Sequence, residues 1–525
     1  MSRKEEIQRR RTFAIISHPD AGKTTLTEKL LLFGGAIQTA GAVKSNKIKR
    51  NVTSDFMEIE RQRGISVATS VMGFNYRDRK INILDTPGHQ DFAEDTYRTL
   101  TAVDSVIVVI DVAKGVEAQT EKLVRVSRMR NIPIIVFINK LDRMGKDPME
   151  LLDEVEEKLG LNVTPLTWPI GMGKELRGVY SLYEKRLLLF QAHTKGEEDS
   201  SVEFSDLSSP DLEKYIYEQA DTLREEVELI EGVYPQFDRK AYLKGEVSPV
   251  FFGSAVNNFG VRELLDAFVE IAPQPQPSKT AERMIEPMED KFAGFVFKIH
   301  ANMDPKHRDR IAFVKICSGV FERNKAYKHI RSGKDLKFSN PTSFMAEKKT
   351  IVDQSYPGDI VGLHDTGNFK IGDALTEGEE LHFKDIPTFS PEMFQVIENA
   401  DPMKYKQLAK GIDQLMDEGV AQLFTMKTNG RKVIGTVGQL QFEVIQYRLE
   451  HEYGAKCRYE PINVHKAVWV QGDDQKQLED FTKMKYRSLA EDKHGRLVFM
   501  ADTGFALQMA QEKYPNLQFL EKAEY

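Results

Sequence analysis

Five short apolar segments lie before residue 255, and their pattern predicts the strands of a parallel sheet. They are rich in β-branched residues and lack polar–apolar alternation, as expected of strands that are covered on both faces. The segments are residues 13–16, 81–84, 106–110, 134–138 and 250–252. Helical patterns such as residues 24–33 lie between them. We therefore predict an α/β domain over residues 1–275, with a mostly helical insertion within residues 143–249.

Two breaks divide the rest of the chain. Residues 272–279 contain three prolines and are typical of a linker. The segments after it are β-rich, separated by turn residues and almost free of helical patterns, which predicts a β-barrel domain over residues 280–386. These segments are residues 292–299, 310–316 and 359–363. A second break at residues 384–391 precedes mixed strand and helix patterns, which predict an α+β domain over residues 390–525.

The first predicted strand is followed by a turn and then a helix, which is the arrangement of a phosphate-binding loop. The loop reads Ser17-His18-Pro19-Asp20-Ala21-Gly22-Lys23-Thr24, with serine where the usual pattern begins with glycine. A small residue still lets the backbone approach phosphates, whose charge is met by N–H groups and a helix N-terminus. We expect Lys23 to reach the β- and γ-phosphates of a nucleotide and the Thr24 hydroxyl to hold Mg²⁺.

A carboxylate and a histidine follow the second predicted strand, in the segment Asp85-Thr86-Pro87-Gly88-His89. Asp85 can orient Mg²⁺, directly or through water, and Gly88 can present its N–H to the γ-phosphate. An imidazole one residue later can position an attacking water, which makes His89 the candidate catalytic residue. The alternative is an ordinary surface or core histidine.

Two further segments predict that the nucleotide is GTP. They read Asn139-Lys140-Leu141-Asp142 and Gly253-Ser254-Ala255, and each follows a predicted strand. The Asp142 carboxylate can accept hydrogen bonds from N1–H and the 2-amino group of guanine, a donor pair that adenine lacks. Lys140 would lay its aliphatic stem against the ring, and the backbone N–H groups of Ser254 and Ala255 would complete the base pocket. A guanine nucleotide needs all four segments, so GTP and GDP are the expected ligands.

The segment Arg61-Gln62-Arg63-Gly64-Ile65-Ser66 lies between the phosphate loop and Asp85, where a mobile switch is expected. Ser66 would place its hydroxyl on Mg²⁺, together with Thr24 and Asp85, only when the γ-phosphate is bound. A plain basic loop is the alternative.

Composition adds limits on partners and location. The 525 residues carry a net charge of −7, which argues against a general nucleic-acid binder, and no DNA partner is expected. Residues 1–50 nevertheless hold eleven Lys/Arg against four Asp/Glu, so a basic face can meet an RNA backbone. Two cysteines, no apolar run of membrane-spanning length and a charged start predict a cytoplasmic protein without a membrane partner. We expect a monomer, since no signal for oligomerisation is found.

The motifs resemble those of the translational GTPases. The segments that carry the resemblance are His18–Thr24, Arg63-Gly64-Ile65-Ser66 and Asp85–His89. Within that group the chain looks most like the bacterial peptide chain release factor 3 family, through residues 85–100 and 435–444 and the serine at position 66. The resemblance covers essentially the whole chain. The elongation factor G family is the nearest alternative, but it normally has threonine at the position of Ser66 and two further C-terminal domains.

The resemblance implies a multidomain protein in which an α/β P-loop GTPase domain precedes the barrel and the α+β domain. It implies a ribosome-stimulated GTPase of translation termination, which promotes dissociation of class I release factors after peptide release. The sarcin–ricin loop of large-subunit rRNA would help to orient His89. A role in translocation or ribosome assembly, as for elongation factor G, is one alternative. A nucleotide-gated binding module with incidental hydrolysis is the other.

Overall fold

A twisted sheet forms the centre of the first domain. In this computed structural model, residues 1–37, 59–60, 66–190, 200–301, 310–345, 348–384, 386 and 390–521 are described. The sheet has the order β2-β3-β1-β4-β5-β11-β6, in which only β2 runs antiparallel to its neighbour. Its strands are β1 (Arg10–Ser17), β2 (Ser70–Tyr76), β3 (Arg79–Asp85), β4 (Ser105–Asp111), β5 (Ile134–Asn139), β6 (Val163–Pro165) and β11 (Ser248–Phe252). The predicted α/β domain is confirmed.

Helices cover both faces of this sheet. In the described residues they are α1 (Arg3–Gln8), α2 (Lys23–Phe33), α3 (Ala93–Thr99), α4 (Ala118–Met129), α5 (Pro148–Leu159), α6 (Leu212–Ile216), α7 (Ala220–Val233), α8 (Arg239–Leu243) and α9 (Val261–Ile271). Adjacent side chains of one strand point to opposite faces, so Phe13 joins a core with α2 and α9 while Ala14 joins a core with α4 and α5. The strands therefore contain no polar alternation, and their carboxyl ends meet at one edge.

The insertion after β5 corrects the prediction that it is mostly helical. Besides α5 to α8 it contains an antiparallel sheet of four short strands, in the order β10-β9-β8-β7. The strands are β7 (Thr167–Ile170), β8 (Gly178–Ser181), β9 (Arg186–Leu189) and β10 (Ser200–Glu203). The hairpin between β8 and β9 turns at Lys185, whose φ of 55° is left-handed. Strands of four residues are too short to show a clear period, which is why the helical pattern dominated the prediction.

The second domain is a β-barrel-like structure, as predicted, and residues 290–384 contain no helix in their described part. A small hairpin of β12 (Ser278–Lys279) and β13 (Met284–Ile285) precedes it. The domain's strands are β14 (Ala293–Ala301), β15 (Arg310–Ser318), β16 (Phe321–Glu322), β17 (Ala326–His329), β18 (Lys334–Lys337), β19 (Thr342–Met345), β20 (Lys348–Ile351), β21 (Gln354–Ser355), β22 (Ile360–His364) and β23 (Ala374–Thr376). Phe292, Phe321 and Tyr327 pack in its core, with ring centroids 4.5–5.7 Å apart.

The third domain combines helices with an antiparallel sheet in which the spatial order of the strands differs from their order along the chain. This confirms the predicted α+β class. The sheet order is β27-β24-β26-β25-β29-β30-β28-β31. Its strands are β24 (Met393–Asn399), β25 (Gln422–Met426), β26 (Lys432–Thr436), β27 (Cys457–Pro461), β28 (Lys466–Gln471), β29 (Leu489–Asp492), β30 (Leu497–Ala501) and β31 (Gln518–Leu520). The helices are α10 (Tyr405–Asp417), α11 (Gln439–Tyr453), α12 (Gln475–Met484) and α13 (Gly504–Lys513). The limits predicted for the domains stay predictions.

The second domain is joined to the first by backbone strand pairing and by buried ion pairs. Strand β19 pairs with β2 at Met345 and Gly73, so one hydrogen-bonded sheet runs across the junction. The buried carboxylate of Asp359 lies 2.8 Å from Arg10 Nε and 2.9 Å from Lys80 Nζ. Burial alone would raise the pKa of Asp359, but the two cations lower it to about 2.

The contribution of Asp359 to this junction can be tested by measuring how the stability of an Asp359→Asn variant depends on pH. A carboxyl group whose pKa is lowered on folding stabilises the protein above its ordinary pKa of 3.8, and that contribution is lost as the pH falls towards 2. The free energy of unfolding should be lower for Asp359→Asn at neutral pH, and the gap from wild type should shrink by about 2 kcal/mol between pH 4 and pH 2. Urea denaturation at each pH measures it.

The exposed Asp353, whose side chain is 86% accessible, supplies the control. Asp353→Asn should follow the wild-type pH dependence, because an exposed ion pair contributes little. A gap for Asp359→Asn that does not change with pH would remove this carboxylate from the acid sensitivity of the fold.

The third domain contacts both of the others. Arg448 on α11 makes two hydrogen bonds to the buried Glu418, at 2.6 and 3.1 Å, and Glu418 also accepts from the N–H of Ala301 in the second domain (2.8 Å). Arg98 on α3 of the first domain donates to the carbonyl of Gly419 (3.1 Å). The loop after α10 is therefore held by the two other domains at once.

Candidate nucleotide-binding and hydrolysis site

The predicted phosphate loop lies between the end of β1 and the start of α2. Ser17 is buried, and its hydroxyl donates to the carbonyl of His18 (2.9 Å). Asp20 and Gly22 both have positive φ, 67° and 99°, and Gly22 is the N-cap residue of α2. The chain thus turns sharply and begins the helix at Lys23, so the first N–H groups of α2 are available to an anion.

Gly22 is required by contact as well as by conformation. A Cβ at this position would lie 2.2 Å from Nδ2 of Asn139. The glycine therefore lets the predicted phosphate loop pack closely against the carboxyl end of β5, where the predicted guanine site begins.

Gly22→Ala should lower the free energy of unfolding by roughly 2–3 kcal/mol, because it adds this overlap to a left-handed φ. Gly35→Ala is the matched control, since Gly35 also has a left-handed φ of 67° but nothing within 4 Å of the added Cβ. Strain alone should make it cost roughly 1 kcal/mol. Urea denaturation compares the two variants, and equal costs would contradict the close approach to Asn139.

Lys23 and Asp85 form a buried ion pair at the edge of the sheet. Lys23 Nζ lies 2.6 Å from Asp85 Oδ1, and both side chains are at least nine-tenths buried. The other carboxylate oxygen, Oδ2, is buried without a hydrogen-bond partner. Thr24, the next residue along α2, is half-buried. A carboxylate oxygen without a protein partner and a threonine hydroxyl are oxygen ligands of the kind that Mg²⁺ prefers, so the chemistry of Asp85 and Thr24 fits the ion.

The segment after β3 packs against the phosphate loop. Thr86 donates from its hydroxyl to the carbonyl of Ile15 (2.7 Å), and the carbonyl of Pro87 accepts from the hydroxyl of Thr96 (3.2 Å). A Cβ on Gly88 would stand 3.4 Å from Cα and N of Pro19. Gly88 therefore packs against the loop that is expected to hold phosphates.

His89 lies at the start of a 3-10 turn, Gln90–Phe92, and its side chain is 35% exposed. Its Nδ1 accepts a hydrogen bond from the N–H of Asp91 (3.2 Å). Asp91 Oδ1 lies 3.3 Å from the same nitrogen, so a protonated Nδ1 can donate to it, whereas in the neutral ring whose Nδ1 accepts from the N–H the proton is on Nε2. Nε2–H is then the atom that His89 can offer to water or phosphate.

The third and fourth segments are tied together by hydrogen bonds from Asn139. Its Nδ2 donates to the carbonyl of Ala21 (2.9 Å), and its Oδ1 accepts from the N–H of Ala255 (2.9 Å). The N–H of Leu141 donates to the carbonyl of Gly253 (3.1 Å). Asn139 therefore connects the predicted phosphate loop to the two segments that are predicted to form the base pocket.

Asp142 is oriented by the segment that follows β11. Its Oδ1 accepts from the hydroxyl of Ser254, which in turn accepts from Nδ2 of Asn257 (2.9 Å). This network fixes a half-buried carboxylate at the carboxyl edge of the sheet. The arrangement suits a carboxylate that reads a hydrogen-bond donor pair on a ligand.

Sequence reasoning missed Asp111, which ends β4. Lys140 has a positive φ of 73°, and its Nζ lies 2.6 Å from Asp111 Oδ2 and 2.5 Å from the carbonyl of Asp20. Burial acts to raise the pKa of Asp111, but the hydrogen bonds from Lys140 and from the N–H of Ala113 outweigh it and hold the pKa below its ordinary value. The available signal was its position, because Asp111 lies at the carboxyl end of a strand, as Asp85 and Asn139 do.

The predicted switch is only partly described. Arg61–Ile65 lie outside the described residues. Ser66 is half-buried and immediately precedes Val67, whose N–H donates to Glu60 Oε1 (2.9 Å). The roles assigned to the site residues, including a place for Ser66 on Mg²⁺, stay predictions.

Three family models match the chain in the order of its domains. Residues 8–274 match the elongation factor Tu GTP binding domain, residues 291–378 match elongation factor G domain 2, and residues 383–511 match the C-terminal domain of class II release factor RF3. The first match alone covers more than half of the chain.

A solved structure shares the fold. It is a crystal structure of a protein from Thermus thermophilus, with a TM-score of 0.70 and 22% sequence identity, and the similarity covers 89% of this chain and 71% of that chain. Within the described part of the chain, no helix combines the length and apolar character needed to cross a membrane. The chain belongs to the family of the elongation factor Tu GTP-binding domain and is a GTP-hydrolysing translation factor of the release factor 3 type, related to elongation factor G.

Proposed function

We propose that this chain is a ribosome-stimulated GTPase of translation termination, which promotes dissociation of class I release factors from the ribosome after peptide release. The observation that carries the proposal is the RF3 C-terminal domain model matched over residues 383–511, on the same chain as the nucleotide site. Domains two and three contact α3, which directly follows the loop of His89, so nucleotide state and domain position can affect each other.

In this proposal GTP binds with its phosphates at the N-terminus of α2. Lys23 leaves Asp85 to pair with the β- and γ-phosphates, since a phosphate oxygen offers the ammonium a stronger partner. Thr24, Asp85 and Ser66 would hold Mg²⁺, which supplies charge neutralisation between the phosphates when bound. Asp142 reads guanine, and Asn139 and Ala255 keep the base pocket closed.

His89 is the proposed catalytic residue. It would position the attacking water through Nε2–H once contact with the sarcin–ricin loop of large-subunit rRNA has brought the imidazole to the γ-phosphate. A histidine that is placed only by a partner explains why hydrolysis would be slow on the isolated protein, as in GTPases that a partner completes in trans.

The experiment is GTP turnover by the purified protein alone, with vacant ribosomes, and with post-termination complexes that carry a labelled class I release factor. Strong stimulation together with GTP-dependent loss of the label is expected. Stimulation without loss of the label would contradict the role in termination and keep the translational GTPase.

A second candidate function is an elongation-factor-G-like role in translocation or ribosome assembly. The match of residues 291–378 to elongation factor G domain 2 favours it. Stimulation by vacant ribosomes that is not increased by termination complexes would support assembly, and movement of tRNA in a translocation assay would support the other role.

A further inference from the structure

Asp91 connects the loop of His89 to the third domain. This residue is buried, with 5% of its surface exposed. Its N–H donates to His89 Nδ1 (3.2 Å), and its Oδ2 accepts from the N–H of Leu440 in the first turn of α11 (2.8 Å). Its Oδ1 lies 3.3 Å from His89 Nδ1. One side chain and its own backbone thus contact both the candidate catalytic histidine and another domain.

The first turn of α11 has no cap from its own N-cap side chain, and the carboxylate of Asp91 in the first domain takes that place. The N-cap residue of α11 is Gly438, which has no side chain to accept from the helix. A Cβ there would lie 2.1–2.2 Å from Cγ, Oδ1 and Oδ2 of Asp91. Asp91 therefore occupies the space of the missing side chain and serves as the cap, where a negative charge also meets the positive end of the helix dipole.

Apolar contacts continue the same junction. Phe92, next to Asp91, packs with Val67 and with Val444 of α11, and Leu440 packs against this cluster. The turn that begins at His89 therefore packs against α11. Displacement of α11 removes the contact of Asp91 with Leu440 and the contact of Phe92 with Val444 together.

The imidazole lies on the cleft side of this turn. His89 lines a cleft of about 660 Å³ between α3, α4 and α11, together with Asp91, Gln119 and Gln439. The described lining of that cleft includes no residue of the phosphate loop. The bond from Asp91 to Nδ1 therefore holds the ring at a cleft between domains.

We propose that Asp91 is a positioning residue that keeps His89 in a resting position for as long as its carboxylate caps α11. The proposal rests on the proposed catalytic role of His89. Movement of the third domain relative to the first breaks the cap, frees the turn at Asp91 and lets His89 turn towards the γ-phosphate. A ribosome that shifts the third domain thereby shifts the population of the catalytic position.

The test removes the cap from either side of the junction and measures GTP hydrolysis without ribosomes. Asp91→Ala deletes the carboxylate. Gly438→Ala places a methyl group where the carboxylate lies, and the φ of −146° at Gly438 suits alanine. Each variant should raise kcat of ribosome-free hydrolysis about fivefold, the scale of losing one helix cap, with an unchanged KM for GTP.

Three control variants distinguish a change in the position of His89 from a general change in the structure. Asp91→Asn keeps an oxygen that can accept from Leu440 N–H and should restore a rate close to wild type. Glu450→Ala changes an exposed residue in the last turn of α11, away from the cleft, and should leave the rate unchanged. His89→Ala added to Asp91→Ala or Gly438→Ala should abolish the gain, because the released group is the histidine.

An unchanged or lower kcat in both Asp91→Ala and Gly438→Ala would overturn the proposal, as would a gain that survives His89→Ala. Thermal unfolding of each variant identifies a loss of folding, and the Gly438→Ala and Asp91→Asn comparisons still decide the matter if Asp91→Ala unfolds. Stimulation by ribosomes is measured separately. Its absence in the wild type would contradict the proposed function while leaving the ribosome-free comparison intact.

Discussion

GTP hydrolysis on ribosomes should fall about a thousandfold when His89 is replaced by alanine, because the group that positions the attacking water is lost. Nδ1 of His89 is already engaged by the N–H of Asp91, so the loss would be that of Nε2–H. GTP binding should persist, since the phosphate loop and the guanine segments are unchanged. Single-turnover hydrolysis of γ-labelled GTP and titration with a fluorescent GTP analogue measure the two quantities.

Gln90→Ala is the neighbouring control. Gln90 is exposed next to His89, and its loss should change ribosome-stimulated turnover by less than about twofold, as an exposed side chain away from the reacting atoms should. Turnover that survives His89→Ala would remove the catalytic assignment and favour a nucleotide-gated binding module in which another group supports slow hydrolysis.

The second large effect is expected in base specificity. Asp142→Asn should weaken GTP binding on the order of a thousandfold and favour xanthosine triphosphate, because the amide offers a donor where guanine also donates. The asparagine oxygen can still accept from Ser254, so the local network is retained. Competition between the two triphosphates for a fluorescent nucleotide measures the change.

Asp111→Asn is the control that distinguishes a change in base preference from a general loss of nucleotide affinity. Asp111 pairs with Lys140 at 2.6 Å, so its replacement should loosen the pocket without reversing the preference for guanine. An Asp142→Asn protein that still prefers GTP would place the guanine reader elsewhere.

The central sheet could be predicted from sequence because its strands are short, continuous apolar runs that end at polar motifs. The rule that ligands collect at the carboxyl ends of such strands places Ser17, Asp85 and Asn139 at one edge, and the structure has all three there. The same rule applied to β4 would have added Asp111, which lacks a motif of its own.

Other parts of the site depend on contacts that leave no local pattern. Asp91 and Gly438 are far apart in sequence, and nothing near either residue indicates that one caps the helix of the other. The pairing of Met345 with Gly73 also leaves no signal in the sequence, since a single backbone bridge requires no particular side chain. The four-stranded sheet of the insertion was missed because each of its strands has only four residues, the shortest run in which strand alternation can be recognised.

The insertion between β5 and β11 has a consequence for the order in which the growing chain can fold. Asn139 lies on β5, while its partner Ala255 is 116 residues later. During synthesis, the strands up to β5 are made well before β11, and a pairing across such a separation forms late. The nascent protein therefore has its predicted phosphate loop long before Asn139 can bond to Ala255, and we expect selective GTP binding to begin only after Ala255 has left the exit tunnel.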